Sequence, residues 1–174
     1  TQEAVDEVSL HVKKGDIYGF IGRNGAGKTT FLKMISGLAH QTRGEFSLLG
    51  YKNGDLAKNQ VFSRVGVLIE SPGLYLNMTA FDNLKLKCLC IGLGSTEYIM
   101  ELLKLVGLED AGKKKVKNFS LGMKQRLGIA IALIGEPDLL VLDEPINGLD
   151  PQGIAEVRDT ILKLNQERNI TIII

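Results

Sequence analysis

Residues 22–29 decide the fold, and they read Gly22-Arg23-Asn24-Gly25-Ala26-Gly27-Lys28-Thr29. The stretch matches the pattern Gly-x-x-x-x-Gly-Lys-Ser/Thr in full; an apolar run typical of a strand precedes it, and a run typical of a helix follows. Glycines let the backbone curl so that successive N–H groups point at phosphate oxygens, and the helix N-terminus adds partial positive charge. An incidental glycine-rich turn would not be expected between a strand and a helix. The stretch therefore predicts the phosphate-binding loop of an α/β protein.

The side chains at the end of this loop suit a nucleotide with a metal ion. Lys28 is expected to reach the β- and γ-phosphates, and the Thr29 hydroxyl is a candidate ligand of Mg²⁺. The predicted nucleotide contacts of the region are Gly22, Arg23, Asn24, Gly25, Ala26, Gly27, Lys28, Thr29 and Thr30.

A second polar cluster follows a strongly apolar run. Residues 139–142 read Leu-Leu-Val-Leu, and Asp143 and Glu144 come directly after them. In a parallel sheet the carboxyl end of such a strand lies beside the phosphate loop. We expect Asp143 to hold Mg²⁺, through water, and Glu144 to act as the general base for the attacking water. Two carboxylates after a strand are common turn chemistry, so the functional interpretation depends on the loop.

The chain alternates strands and helices at both ends and changes character between them. Residues 71–119 are mostly helical, with capping residues at Thr79 and Ser95 and a glycine stop at Gly107. Alternation predicts a strand over 5–12. Residues 45–49, ended by Gly50 and followed by Asn53-Gly54, indicate a strand and a hairpin. We therefore predict a single α/β domain over 1–174, a P-loop NTPase with a mixed sheet and an antiparallel β subdomain. Residues 1–70 and 120–174 form its catalytic core and 71–119 a helical subdomain.

Bulk composition limits the partners. The net charge is +1, from 21 basic against 20 acidic residues, whereas general nucleic-acid binders show a basic excess. We therefore expect no nucleic-acid partner. No apolar run reaches the ~18 residues that a membrane span requires. Cys88 and Cys90 are too few for a structural zinc site, and we expect them to be reduced.

Residues 119–127 read Phe-Ser-Leu-Gly-Met-Lys-Gln-Arg-Leu and predict a second phosphate-type site. The Ser120 hydroxyl, the Gly122 backbone and the N-terminus of the helix that follows suit an anion. One chain cannot easily bring this turn and the phosphate loop to the same phosphate. Two chains packed head to tail can do so.

These motifs, in this order, resemble the nucleotide-binding domains of ABC ATPases over essentially the whole chain. Residues 119–123 lie where that family has its signature, usually Leu-Ser-Gly-Gly-Gln. Three positions depart from it, Phe119, Leu121 and Met123, whereas Ser120 and Gly122 are kept. Residues 147–150, Asn-Gly-Leu-Asp, resemble the family's D-loop, which implies that Asp150 lies near the partner chain's site.

The resemblance implies a transport motor. Its cofactors would be ATP and Mg²⁺. Its partners would be a second ATP-binding domain and transmembrane permease subunits, with the chain peripheral at the cytoplasmic face of the membrane. Glu70 stands where the family normally has glutamine. Its carboxylate would contact Mg²⁺, the attacking water or the nucleotide, and its negative charge would alter the electrostatics of the site. The alternative is that Glu70 is a solvated loop residue. Glu70 and residues 120–128 together resemble the subgroup that exports bacitracin or lantibiotic-type peptides.

Two other functions remain open. A soluble ABC-type ATPase of translation or DNA repair usually carries two fused cassettes, coiled-coil arms or zinc inserts, and the sequence shows none of them. A nucleotide sensor without turnover is disfavoured by Glu144. The resemblance also places a switch histidine after Ile174 and an adenine-stacking aromatic before Thr1, so we expect a chain trimmed at both ends. His11 and His40 lie too early in the chain to replace that histidine.

Overall fold

Strands and helices alternate at the two ends of the chain, and helices occupy its middle. The structure, a computed structural model, describes residues 4–174. The strands are β1 (Ile17–Tyr18), β2 (Ser47–Leu48), β3 (Tyr51–Lys52), β4 (Val65–Leu68), β5 (Leu139–Leu142) and β6 (Thr171–Ile173). The α-helices are α1 (Lys28–Ile35), α2 (Ala80–Leu89), α3 (Thr96–Leu105), α4 (Leu121–Ala132) and α5 (Pro151–Arg168).

The central sheet has the order β1-β6-β5-β4, and all its described neighbours are parallel. Val65 is in register with Leu139, and Leu139 with Thr171. All four residues of β5 are buried because the strand lies between two neighbours and under helices. The carboxyl ends of β1, β5 and β4 consequently share one edge, and the polar residues that follow these strands meet there.

Within the described residues, antiparallel pairing joins β2 and β3 in a separate two-stranded hairpin and also forms an isolated bridge between Thr79 and Lys115. The predicted mixed sheet is thus divided into a parallel sheet and an antiparallel hairpin within the described residues. The hairpin turn lies at Leu49-Gly50, not at Asn53-Gly54, which begins a 3₁₀ turn. Both Leu49 and Gly50 have positive φ, 50° and 87°, as a tight hairpin turn with the twist of its strands requires.

The strand predicted over 5–12 is wrong. The segment 5–12 has no ladder partner among residues 4–174, and Val8 and Leu10 are 46% and 36% exposed. Val12 alone of its apolar residues packs against the core beside α1. Alternation predicted a half-buried strand, but a strand also needs a neighbour to satisfy its backbone, and none is placed alongside.

The helical middle packs on α4 to form the larger of two hydrophobic clusters. Leu84 of α2, Leu103 of α3 and Leu127 of α4 are fully buried in it. The predicted helix starts are confirmed, because Thr79 accepts from Asp82 N at 3.0 Å and Ser95 from Tyr98 N at 3.1 Å. None of the helices within residues 4–174 is long and apolar enough to cross a bilayer.

Candidate nucleotide-binding site

The phosphate loop leaves β1 and enters α1 as predicted. Gly25 and Gly27 have φ of 80° and 85°, and Gly27 is the N-cap residue that precedes α1. A side chain at Gly27 would be strained by that φ, and its Cβ would lie 2.0 Å from the Ala4 carbonyl oxygen. The loop therefore needs glycine at this point to present the N-terminus of α1 outward.

The ammonium of Lys28 is occupied from within the chain. Its Nζ donates to the carbonyl oxygens of Gly22 at 2.9 Å and Arg23 at 3.2 Å. It also lies 3.3 Å from Oε1 of Glu144. Two of the three donors of the ammonium group are thus used in hydrogen bonds, and its charge is paired with the Glu144 carboxylate. The same donors are able to exchange such oxygens for those of an anion.

The two carboxylates after β5 have different surroundings. Asp143 is 7% exposed, and its Oδ2 accepts from the Thr29 hydroxyl at 2.7 Å. Glu144 is exposed, and its Oε2 accepts from the Asn147 amide at 3.0 Å while its other oxygen faces Lys28. Asp143 is thus fixed against the loop, whereas Glu144 stands further out at the mouth.

Glu144 also has a left-handed backbone, with φ of 47°. That conformation is uncommon for a residue with a Cβ and costs free energy, so it is found where the surrounding structure imposes it. The carboxylate of this residue lies beside the loop, 3.3 Å from Nζ of Lys28.

A cavity of about 400 Å³ opens between the loop and the strand end. It is lined by Ala4, Asn24, Gly25, Gly27, Lys28, Thr29, Thr30 and Glu144. Asp143 lies behind Thr29. Of the predicted nucleotide contacts in the loop, all but Gly22, Arg23 and Ala26 line this cavity, Glu144 lines it as well, and Asp143 is joined to it through Thr29.

The oxygens of Thr29 and Asp143 suit Mg²⁺, which prefers hard oxygen ligands and keeps several waters. Residues 4–174 hold no group of three or more His, Cys, Asp or Glu side chains that could by itself hold a metal ion. Thr29 and Asp143 consequently fit a magnesium ion that takes its remaining ligands from phosphate and water.

Glu70 lies two residues after β4, and its carboxylate turns toward α1. Oε1 accepts from Nζ of Lys33 at 2.8 Å, and its side chain is 68% exposed. The Lys33 ammonium, by its hydrogen bond and its charge, holds the pKa of Glu70 below its usual value. Glu70 has a positive φ of 64°, as Glu144 does. The carboxylate is thus paired with Lys33, and it does not contact Thr29 or Asp143.

The second predicted phosphate site lies on another edge. Ser120 caps α4 by accepting from Met123 N at 3.2 Å, and Asp150 caps α5 by accepting from Gly153 N at 2.9 Å. Gly122 is buried against Gly153. Ser120, Gly122 and Asp150 lie near one another but do not line the cavity at the phosphate loop.

Three contacts were missed by the sequence reasoning. Lys33 pairs with Glu70, and Asn147 with Glu144. Arg126 of α4 donates to Glu156 of α5 and to the carbonyl oxygens of Val106 and Gly107, which follow α3. A helical spacing of four residues puts Lys33 on the same face of α1 as Thr29, which was an available signal. His11 and His40 are exposed, and the switch histidine and stacking aromatic expected beyond Ile174 and Thr1 lie outside the described residues.

Known proteins resemble this chain in sequence over most of its length. The family model described as ABC transporter matches residues 5–147. The bacitracin transport ATP-binding protein BcrA of Bacillus licheniformis is 51% identical over 177 residues, 100% of this chain and 56% of that protein. The lantibiotic transport ATP-binding protein SrtF of Streptococcus pyogenes is 46% identical over 165 residues, 94% of this chain and 69% of that protein. The chain thus spans about half the length of the BcrA relative.

Solved structures extend the similarity to the fold. The ATP-binding cassette MJ0796, in a dimeric post-hydrolysis state bound to ADP and Pi, superposes with a TM-score of 0.82 at 28% identity, covering 98% of this chain and 78% of that one. The cbiO1 protein of Clostridium perfringens, part of the complex cbiONQ, gives a TM-score of 0.84 at 26% identity, over 98% and 70% of the two chains.

Proposed function

This chain belongs to the ABC transporter family, and on that premise we propose that it is the ATP-hydrolysing subunit of a transporter. The observation that carries the proposal is the meeting of Lys28, Thr29, Asp143 and Glu144 around one cavity of about 400 Å³. The phosphates of ATP would enter beneath the N-terminus of α1, where backbone N–H groups and Lys28 favour negative charge.

Binding would rearrange the contacts of Lys28. Phosphate oxygens would replace the Glu144 carboxylate, now 3.3 Å away, and at least one loop carbonyl. Release from the ammonium would leave the Glu144 carboxylate free to accept a proton, and the Asn147 amide would hold it in place. The nucleotide would therefore prepare the base as it binds.

Hydrolysis is proposed as in-line attack of water on the γ-phosphate. A water oxygen forms a bond to phosphorus as the bond to the bridging β–γ oxygen breaks, Glu144 accepts the water proton, and ADP leaves with phosphate. Bound Mg²⁺ would supply charge neutralisation between the phosphates. Thr29 and Asp143 are proposed to hold it, and Glu70 could join them only after leaving Lys33.

The remaining contacts to nucleotide are proposed to come from a second copy. Ser120, Gly122 and Asp150 lie apart from the cavity, and the solved relative MJ0796 is dimeric. Head-to-tail packing would bring the α4 and α5 edge of one copy to the phosphate loop of the other. Residues 120–174 and 1–70 would form the catalytic core. Residues 71–119 would be the helical subdomain that passes the motion to membrane subunits.

We propose export of a bacitracin- or lantibiotic-type peptide, with the chain at the cytoplasmic face of the membrane. The names of the BcrA and SrtF relatives support the substrate class. An ATPase of translation or DNA repair receives no support from these relatives.

The test is ATP hydrolysis by the protein and its recovery with a membrane-spanning partner. We expect phosphate release that requires Mg²⁺ and co-purification with an integral membrane protein from its own membranes. Recovery with ribosomes or DNA instead would refute the transport assignment and leave the nucleotide site intact.

A further inference from the structure

Helices α4 and α5 touch at a pair of glycines beside their N-termini. A Cβ built on Gly122 would lie 3.2 Å from Cα of Gly153, closer than most side-chain contacts. A Cβ on Gly153 would lie 2.7 Å from Oδ1 of Asp150, the atom that caps α5. The turn at Ser120 and the turn at Asp150 are therefore in direct backbone contact.

Arg126 makes a second link between the same two helices. It lies four residues after Gly122 on α4, and its Nη2 donates to Oε2 of Glu156 at 2.9 Å. Glu156 lies three residues after Gly153, so both links use the same helix faces. The other oxygen of Glu156 accepts from Gln152 at 3.0 Å, which fixes the orientation of the carboxylate.

The same guanidinium reaches a third element, the end of α3. Nη1 of Arg126 donates to the carbonyl oxygens of Val106 and Gly107, both at 2.9 Å. A cation at that place satisfies free carbonyls and complements the helix dipole. Gly107 has a φ of 64°, and a Cβ there would lie 3.2 Å from Nη1, so a side chain would crowd the guanidinium.

The position of Arg126 leaves one of its hydrogen-bond donors without an acceptor among the described residues. Its side chain is 12% exposed, and its Nε is buried with no hydrogen-bond partner among the described residues. A buried donor without an acceptor lowers stability. The guanidinium is therefore oriented for its contacts with α3 and α5, at the expense of Nε.

We propose that Arg126 is a positioning residue that locks the Ser120 turn and the Asp150 turn to the end of α3 as one unit. A movement of the helical subdomain would then carry both turns toward the partner copy together. The proposal rests on the proposed function, in which these turns contact the nucleotide of a second copy. Lys28, Thr29 and Asp143 lie on other elements, so nucleotide binding within one copy does not depend on Arg126.

The experiment uses the Glu144→Gln protein, which should accumulate the ATP-bound dimer. Three changes are added singly: Arg126→Met, Arg126→Lys and Glu156→Gln. Affinity for a fluorescent ATP analogue is measured under monomeric conditions, and ATP-driven dimerisation by light scattering. Arg158→Met is the matched control, because it removes an exposed arginine of α5.

We expect ATP affinity to stay within about twofold in every variant. Arg126→Met should weaken the ATP-bound dimer by roughly tenfold, within the range for mutations along a coupling element. Arg126→Lys should weaken it less, because an ammonium retains the charge but cannot serve all three partners as the planar fork does. The Arg158→Met dimer should match the parent.

Hydrogen exchange in the nucleotide-free protein gives a second measurement. Arg126→Met should speed exchange at 105–108 and at 147–153 and leave 22–29 unchanged. If Arg126→Met fails to fold, Arg126→Lys and Glu156→Gln carry the test.

Equal loss of ATP affinity and dimerisation would reduce Arg126 to a general structural role and overturn the proposal. So would dimerisation equal to the parent's in all three variants. An unmutated protein that neither binds nor hydrolyses ATP would instead remove the proposed function itself.

Discussion

The phosphate loop and the edge formed by the Ser120 and Asp150 turns are both built at helix N-termini, yet they use their polar side chains differently. At the loop, Lys28 and Thr29 contact residues far away in sequence, and those contacts are replaceable by a ligand. At the edge, the Ser120 and Asp150 oxygens accept from their own helices. We therefore expect the loop to bind a ligand without a second copy, and the edge to offer a partner surface mainly backbone atoms and a fixed shape.

Lys28→Ala should have the largest effect of the changes considered, and it acts at the phosphate loop. Among the described residues that line the cavity, Lys28 is the one with a cationic side chain. We expect ATP binding and turnover to be lost, as measured by calorimetry and phosphate release. The exposed Lys58→Ala variant should behave as the parent. Equal ATP affinity in Lys28→Ala and parent would disprove the site.

Glu144→Gln should separate binding from chemistry within the loop region. The amide keeps the shape of the side chain but cannot accept the water proton, and removal of a general base costs about 10²–10⁴ in rate. ATP binding should persist, and an ATP-bound dimer should accumulate in light scattering. Glu167→Gln, at the exposed end of α5, is the control. Turnover within a few-fold of the parent would mean that another group is the base.

Ser120→Ala tests the edge, with Ser95→Ala as its matched control. Both serines cap a helix of the same half of the chain with similar geometry, and loss of such a cap costs about 1 kcal/mol of stability. The melting temperatures should therefore fall alike. Only Ser120→Ala should also weaken the ATP-bound dimer. Equal dimerisation in the two variants would remove Ser120 from the partner's site.

Glu70→Gln should give the smallest change in nucleotide affinity and a larger change in coupling. It removes the ion pair with Lys33, which lies outside the cavity lining. We expect near-normal ATP affinity but altered transport per ATP hydrolysed in vesicles that contain the membrane partner. Lys33→Met removes the same pair from the other side and shows whether the pair or the carboxylate matters. Unchanged transport in both variants would make Glu70 a solvated loop residue.

The sequence predicted those parts of the site that depend on local chemistry. The phosphate loop, the acidic end of β5 and the caps at Thr79 and Ser95 follow from short spacings, and the structure has them at the predicted places. Their roles in catalysis stay predictions. The family and the α/β fold also followed, since the motifs occur in a fixed order.

What the sequence could not predict depends on distant neighbours. Lys33 and Glu70 are 37 positions apart, and nothing local pairs them. The strand over 5–12 was wrong because alternation does not reveal whether a neighbouring strand is present. The hairpin turn was misplaced because Leu49 accepts a positive φ that sequence preference assigns to Asn-Gly.

The left-handed backbone at Glu144 has a consequence for evolution under selection. Glycine or asparagine would suit a φ of 47° better, so replacing Glu144 by either should relieve strain and raise thermal stability. The same replacement removes the proposed base. Selection for thermal robustness alone would therefore favour an inactive protein, and the glutamate should persist only where turnover itself is under selection.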